Sequence, residues 1–94
     1  MKPTVVGLVT PHVLRVMDLA RQAETGVSVE LHLRDAVART VHDLGQQFNA
    51  GELLRAYVQG LETVVREAAP ARKVYLGVLQ VAVAQATRSL PAHD

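Results

Sequence analysis

VSVELHL, residues 27–33, admits two readings, and the fold depends on which one holds. As a strand it alternates cleanly: Val27, Val29, Leu31 and Leu33 share one face while Ser28, Glu30 and His32 share the other. As a helix it is capped by Ser28, and Glu30 lies in the first turn, where the positive end of the helix dipole favours an anion. The helical reading also runs on without a break, because Val29, Leu33, Val37, Val41, Leu44 and Phe48 continue one apolar face. One helix therefore accounts for more residues than a strand joined to a helix. The expectation is a helix that ends near residues 45–49, where glycine and asparagine loosen the backbone, with a short strand over 27–33 as the alternative.

Upstream, Thr10-Pro11 reads as a helix start, since threonine caps well and proline in the first helical position gives up no needed hydrogen bond. That helix is expected to run to about Thr25, with Val13, Val16, Met17, Ala20 and Ala23 on one side and Gly26 closing it in the left-handed conformation. Residues 4–9 are left open between a short strand, an extended arm and a first helical turn. Downstream, Leu54, Tyr57, Leu61, Val64 and Ala68 repeat at three-four spacing and define a third helix over 52–68, with Glu62 placed to pair with Arg66. Pro70 ends that helix and opens a fourth from its first position, and Pro91 stops the fourth, leaving a frayed tail over 91–94.

The fourth helix contains the most apolar stretch of the chain, VYLGVLQVAVAQA over 74–86. Leu76, Leu79, Val83, Ala86 and Leu90 form a three-four seam, Val74, Val78 and Val81 flank it, and Lys73, Gln80 and Arg88 leave only a narrow polar stripe. Such a helix needs covering on more than one side, by its own domain and by a second subunit. The seam is therefore the expected partner-binding surface. Four helices with short turns imply an all-α, up-and-down four-helix bundle forming a single domain over 1–94, with no repeat or linker to divide it.

Composition narrows function more by exclusion than by assignment. At 49% hydrophobic but only 3% aromatic, the core must be built from Val, Leu and Ala. A formal net charge of +1 provides no general field to attract nucleic acid or an acidic membrane, and the absence of cysteine removes thiolate metal sites, disulfides and cysteine nucleophiles. The apolar run near the N-terminus is too short to span a membrane and unlike a secretory signal, so the protein is expected in the cytosol. Its preference for Arg over Lys, with much Ala and Val, suits a bacterial source.

Candidate chemistry is sparse. His32, Asp35, Arg39, His42 and Asp43 lie near one face of the second helix, but Arg39 in their midst would repel a cation, and no catalytic, cofactor or metal site is expected. His12 reads as an exposed first-turn residue, with pH sensing or anion holding as the sharper alternative, and Gly60 and Gly77 inside helices suggest close helix crossings. The expected function is a protein-interaction module, a regulator or adaptor that acts as a homodimer through apolar helix packing and is not an enzyme. The alternative is a DNA-binding regulator. It would be either a ribbon-helix-helix protein reading through 27–33 or a helix-turn-helix protein presenting Glu52, Arg55, Gln59 and Glu62, and in both cases acidic residues sit on the reading surface.

Overall fold

The computed structural model describes residues 4–90, and all its regular structure is helical: α1 is Val5–Glu24, α2 Glu30–Gly45, α3 Ala50–Glu67 and α4 Lys73–Arg88. Residues 27–33 form no strand. Residues 27–29 have no regular structure, and 30–33 make the first turn of α2. Ser28 is not the cap, however. Val29 takes that position without a side-chain hydrogen bond, its carbonyl accepts from Leu33 N at 2.7 Å, and its side chain is buried. Burying Val29 thus sets the helix boundary one residue beyond the better capping residue.

α1 starts six residues earlier than Thr10-Pro11 implied. Thr4 is the true cap, its Oγ1 accepting from Gly7 N at 2.9 Å, and Pro11 lies inside the helix. An interior proline costs about 3 kcal/mol. Here it is offset because the extra turn carries Val9 into the core, in line with Val13, Val16, Leu19 and Ala20, and half-buries Val5. The C-terminus follows the expectation from Gly26, whose φ is +94°. Gly26 N donates to Ala23 O and Val27 N to Gln22 O, the paired bonds of a Schellman end.

α2 stops at Gly45, so the apolar face expected to extend to Phe48 ends at Leu44 and Phe48 stands fully in solvent. α3 begins at Ala50, two residues before Glu52, and buries Leu53, Leu54, Tyr57, Val58 and Leu61. Pro70 does not open α4. It sits in the turn, and α4 starts at Lys73. The expected stop at Pro91 and the tail after it lie outside the described residues.

Every helix touches the other three, with α1, α3 and α4 packed most closely and α2 more lightly against them. All four contribute to the core: Val16, Val37, Leu53, Tyr57, Leu61 and Leu79 are its largest fully enclosed side chains. Each aliphatic side chain so enclosed is worth about 1.5–3 kcal/mol. The α1–α3 approach is set by Gly60, where a β-carbon would lie 2.9 Å from Val13 Cγ2. At the other end Arg72 fastens the α3–α4 turn to α1, with Nε donating to Glu24 Oε2 at 2.9 Å and the guanidinium 3.7 Å above the Tyr75 ring.

Candidate interaction surface

α4 presents two faces. The enclosed one is Tyr75, Leu79, Ala82 and Ala86. Of the expected seam, Leu79 and Ala86 are inside the chain's own core, whereas Leu76, Val83 and Leu90 are half-buried at its margin. Tyr75 joins the core, and the Arg72 guanidinium, three residues earlier at the N-terminus of α4, lies over its ring.

The outward face is also apolar. Val74 is 54% exposed and Val81 57%; Ala84 is exposed as well, and Gly77 lies between the valines. Gly77 differs from Gly60, since a β-carbon there would meet no heavy atom within 4 Å. Glycine costs about 1 kcal/mol inside a helix relative to alanine, and nothing within this fold requires it at residue 77.

Two grooves border this face. On the α2 side, Val29 and Leu33 from the start of α2 and Val74, Val78 and Val81 of α4 line a groove of about 670 Å³. Glu30, Arg34 and Arg88 give it a charged rim, and Gln85 Nε2 donates to Arg34 O at 2.9 Å, fastening the two helices together. Leu31, in the same first turn of α2, is 74% exposed. On the α3 side, Val65, Val83 and Ala84 line a groove of about 360 Å³, with Glu62, Arg66 and Gln80 around them. Arg66 donates to Thr63 Oγ1 at 3.1 Å. The expected pairing with Glu62 is not among the ion pairs of the described residues, which are Arg39–Asp35 and Arg72–Glu24.

Polar groups converge elsewhere, in a cleft of about 230 Å³ between α1 and α2 lined by His12, Arg15, His32, Asp35, Arg39 and Asp43. His12 is not the exposed first-turn residue expected, because the earlier start of α1 puts it mid-helix and half-buried. Its Nδ1 is 3.3 Å from Thr40 Oγ1, and its ring meets Tyr57 edge-on at 6.4 Å between centroids. Thr40 donates its own proton to Ala36 O at 2.9 Å, so its oxygen is left to accept from His12.

Tyr57 is fully enclosed. Burial pushes its phenol up to about 12, opposed by the neighbouring Thr40 hydroxyl, yet Tyr57 Oη has no partner in hydrogen-bonding geometry. Within the cleft the Thr40 hydroxyl donates to a helix carbonyl, and Asp35 is paired with Arg39 at 2.9 Å. Among the described residues no three His, Asp or Glu side chains gather to hold a metal ion.

For the two DNA-reading arrangements the outcome differs. The ribbon has no strand to form it, since residues 30–33 are helical. The helix-turn-helix spacing is present, with α2, four residues over 46–49 and then α3, and Glu52, Arg55, Gln59 and Glu62 are all exposed.

No described helix is long and apolar enough to cross a membrane. The chain matches no protein-family model, and neither curated proteins nor solved structures yield a significant match.

Proposed function

We propose that this chain is a small cytosolic protein-interaction module, a regulator or adaptor without catalytic activity that works as a homodimer through apolar helix packing. Its successive helices are read as running up and down, joined by the short turns at 25–29, 46–49 and 68–72. One observation carries the reading: after the core is filled, valines remain exposed along α4 beside a groove that is itself lined by valine and leucine. An apolar face bordered by charged residues is what a helical partner would cover. Leu76, Val83 and Leu90 stay close enough to the surface to contribute at its margin, whereas Leu79 and Ala86 support the fold from inside.

DNA binding through α3 is the weaker proposal, because Glu52 and Glu62 flank Arg55 and Gln59 on the outward face and oppose phosphate. The primary test is solution mass by sedimentation across a wide dilution series. A species of twice the 10.2 kDa chain mass, dissociating on dilution with a melting temperature that falls alongside, is expected. Monomer mass at every concentration would refute the homodimer.

A further inference from the structure

We infer that the partner surface is the outward seam of α4 and that its occupant is the same seam of a second copy, packed antiparallel. This rests on the homodimer reading and specifies where the contact lies and in which direction the helices run. Val74, Gly77, Val81, Ala84 and Arg88 follow one another at intervals of three and four residues, the spacing by which one helix presents a continuous seam to another. The seam is separate from the enclosed one of Tyr75, Leu79, Ala82 and Ala86.

The seam alternates large with small. Reversed upon itself about a point near Leu79, it sets Val81 against Gly77 of the second copy and Val74 against Ala84, so that each valine meets a small residue. A two-fold contact needs this kind of self-complementarity. Parallel pairing would set valine on valine and glycine on glycine. Gly77, unexplained by anything within the chain, becomes the position where the second helix comes closest: a β-carbon there faces open space in one copy and would face Val81 of the other.

Charge favours the same arrangement. α4 has no acidic residue, and its cations, Lys73 and Arg88, stand at its two ends. Antiparallel reversal carries Arg88 to the level of residue 70 of the second copy, beyond the apolar part of its seam. Lys73 precedes Gln80 by two turns and so lies on the flank facing α3. Reversal brings that flank against the same flank of the second copy, placing Lys73 near the level of Ala84, where Glu62 lines the adjoining groove. Neither Lys73 nor Glu62 is in an ion pair among the described residues.

The test is sedimentation of wild type, Gly77→Arg, Lys73→Glu, Glu62→Lys and an equimolar mixture of the last two. Gly77→Arg is expected to keep its helical circular dichroism, since residue 77 faces open space, while its self-dissociation constant rises by at least about tenfold. Lys73→Glu and Glu62→Lys should each self-associate less than wild type. Their mixture should recover a heterodimer, because each copy then offers the charge the other lacks. A monomeric wild type sinks the homodimer reading itself. A dimeric wild type whose association is unchanged in Gly77→Arg leaves that reading standing and overturns this surface, while a dimer lost in Gly77→Arg without recovery in the mixture overturns the antiparallel register.

Discussion

Val13 and Gly60 meet where α1 passes α3, the valine's Cγ2 standing 2.9 Å from the point that a β-carbon on residue 60 would occupy. A helical valine is nearly confined to one rotamer, so it cannot swing aside cheaply and the helices would have to part. Gly60→Ala should therefore lose about 1–3 kcal/mol of stability through overpacking. Gly77→Ala should gain about 0.5–1 kcal/mol in dilute solution, from helix propensity alone. Urea unfolding of both variants at low protein concentration checks the contrast. Equal effects at the two sites would contradict the crossing.

Tyr57 bears a buried hydroxyl without a geometrically sound partner, and Tyr57→Phe removes the burden while keeping the ring against His12. Stability near neutral pH should stay level or rise by about 1 kcal/mol. The phenol also sets an alkaline limit, since its folded value of about 12 lies above the ordinary value near 10. The raised value favours the neutral form in the fold, so the stabilisation is complete below pH 10 and is lost as pH rises toward 12. Denaturation midpoints measured across that window should fall in wild type and fall less in Tyr57→Phe. Parallel slopes would show that Tyr57 is not the group responsible.

Glu24 and Arg72 give an acid limit where α1 ends and α4 begins. The hydrogen bond from Arg72 lowers the Glu24 carboxyl below its usual value of 4.5, with the charge of Arg72 and then Arg21 adding to it and desolvation opposing. A lowered carboxyl contributes stability above its unfolded value and loses it as pH falls through the folded one. Glu24→Gln should accordingly flatten the drop in stability below pH 4.5 and weaken the hold on the α3–α4 turn. Hydrogen exchange at residues 69–72 reads the second effect. Exchange there that is no faster than in wild type would show the pair to be ornamental to the turn.

Helical period made most of this architecture legible, because it reports which residues share a face. Leu33, Val37 and Leu44, or Leu54, Tyr57 and Leu61, are buried as their spacing required. What failed were local end signals set against burial. Thr10-Pro11 and Pro70 each look like helix starts, but the residues before Pro11 bury Val9 and half-bury Val5, which together offset the proline within the helix, and the Arg72 contacts with Glu24 and Tyr75 hold residue 70 in the turn. On α4, two three-four series run through the same apolar stretch. Spacing alone cannot choose between them when almost every residue is apolar, whereas enclosure by α1, α2 and α3 separates the inner series from the outer. Gly60 and Gly77 likewise look identical in sequence. They part only when the space beyond each is known.

Weak DNA binding is the last expectation, and α3 is where it is decided. A helix entering the major groove uses its exposed side chains, here Arg55 and Gln59, between Glu52 in the first turn and Glu62 nearly three turns further on. The positive end of the helix dipole would ordinarily help to hold a phosphate, but Glu52 occupies that end, and a net charge of +1 supplies no compensating field. Binding to duplex fragments at low salt should therefore be weak, without sequence preference, and unchanged in Arg55→Ala. Self-association through valine contacts should persist in moderate salt over the same range, because hydrocarbon burial releases no counterions. The two are separated by running fluorescence titrations of DNA beside sedimentation at matched salt. Tight, sequence-selective DNA binding that falls steeply with salt and disappears in Arg55→Ala would reverse the assignment, making α3 the working surface and the α4 seam at most a means of bringing two reading heads together.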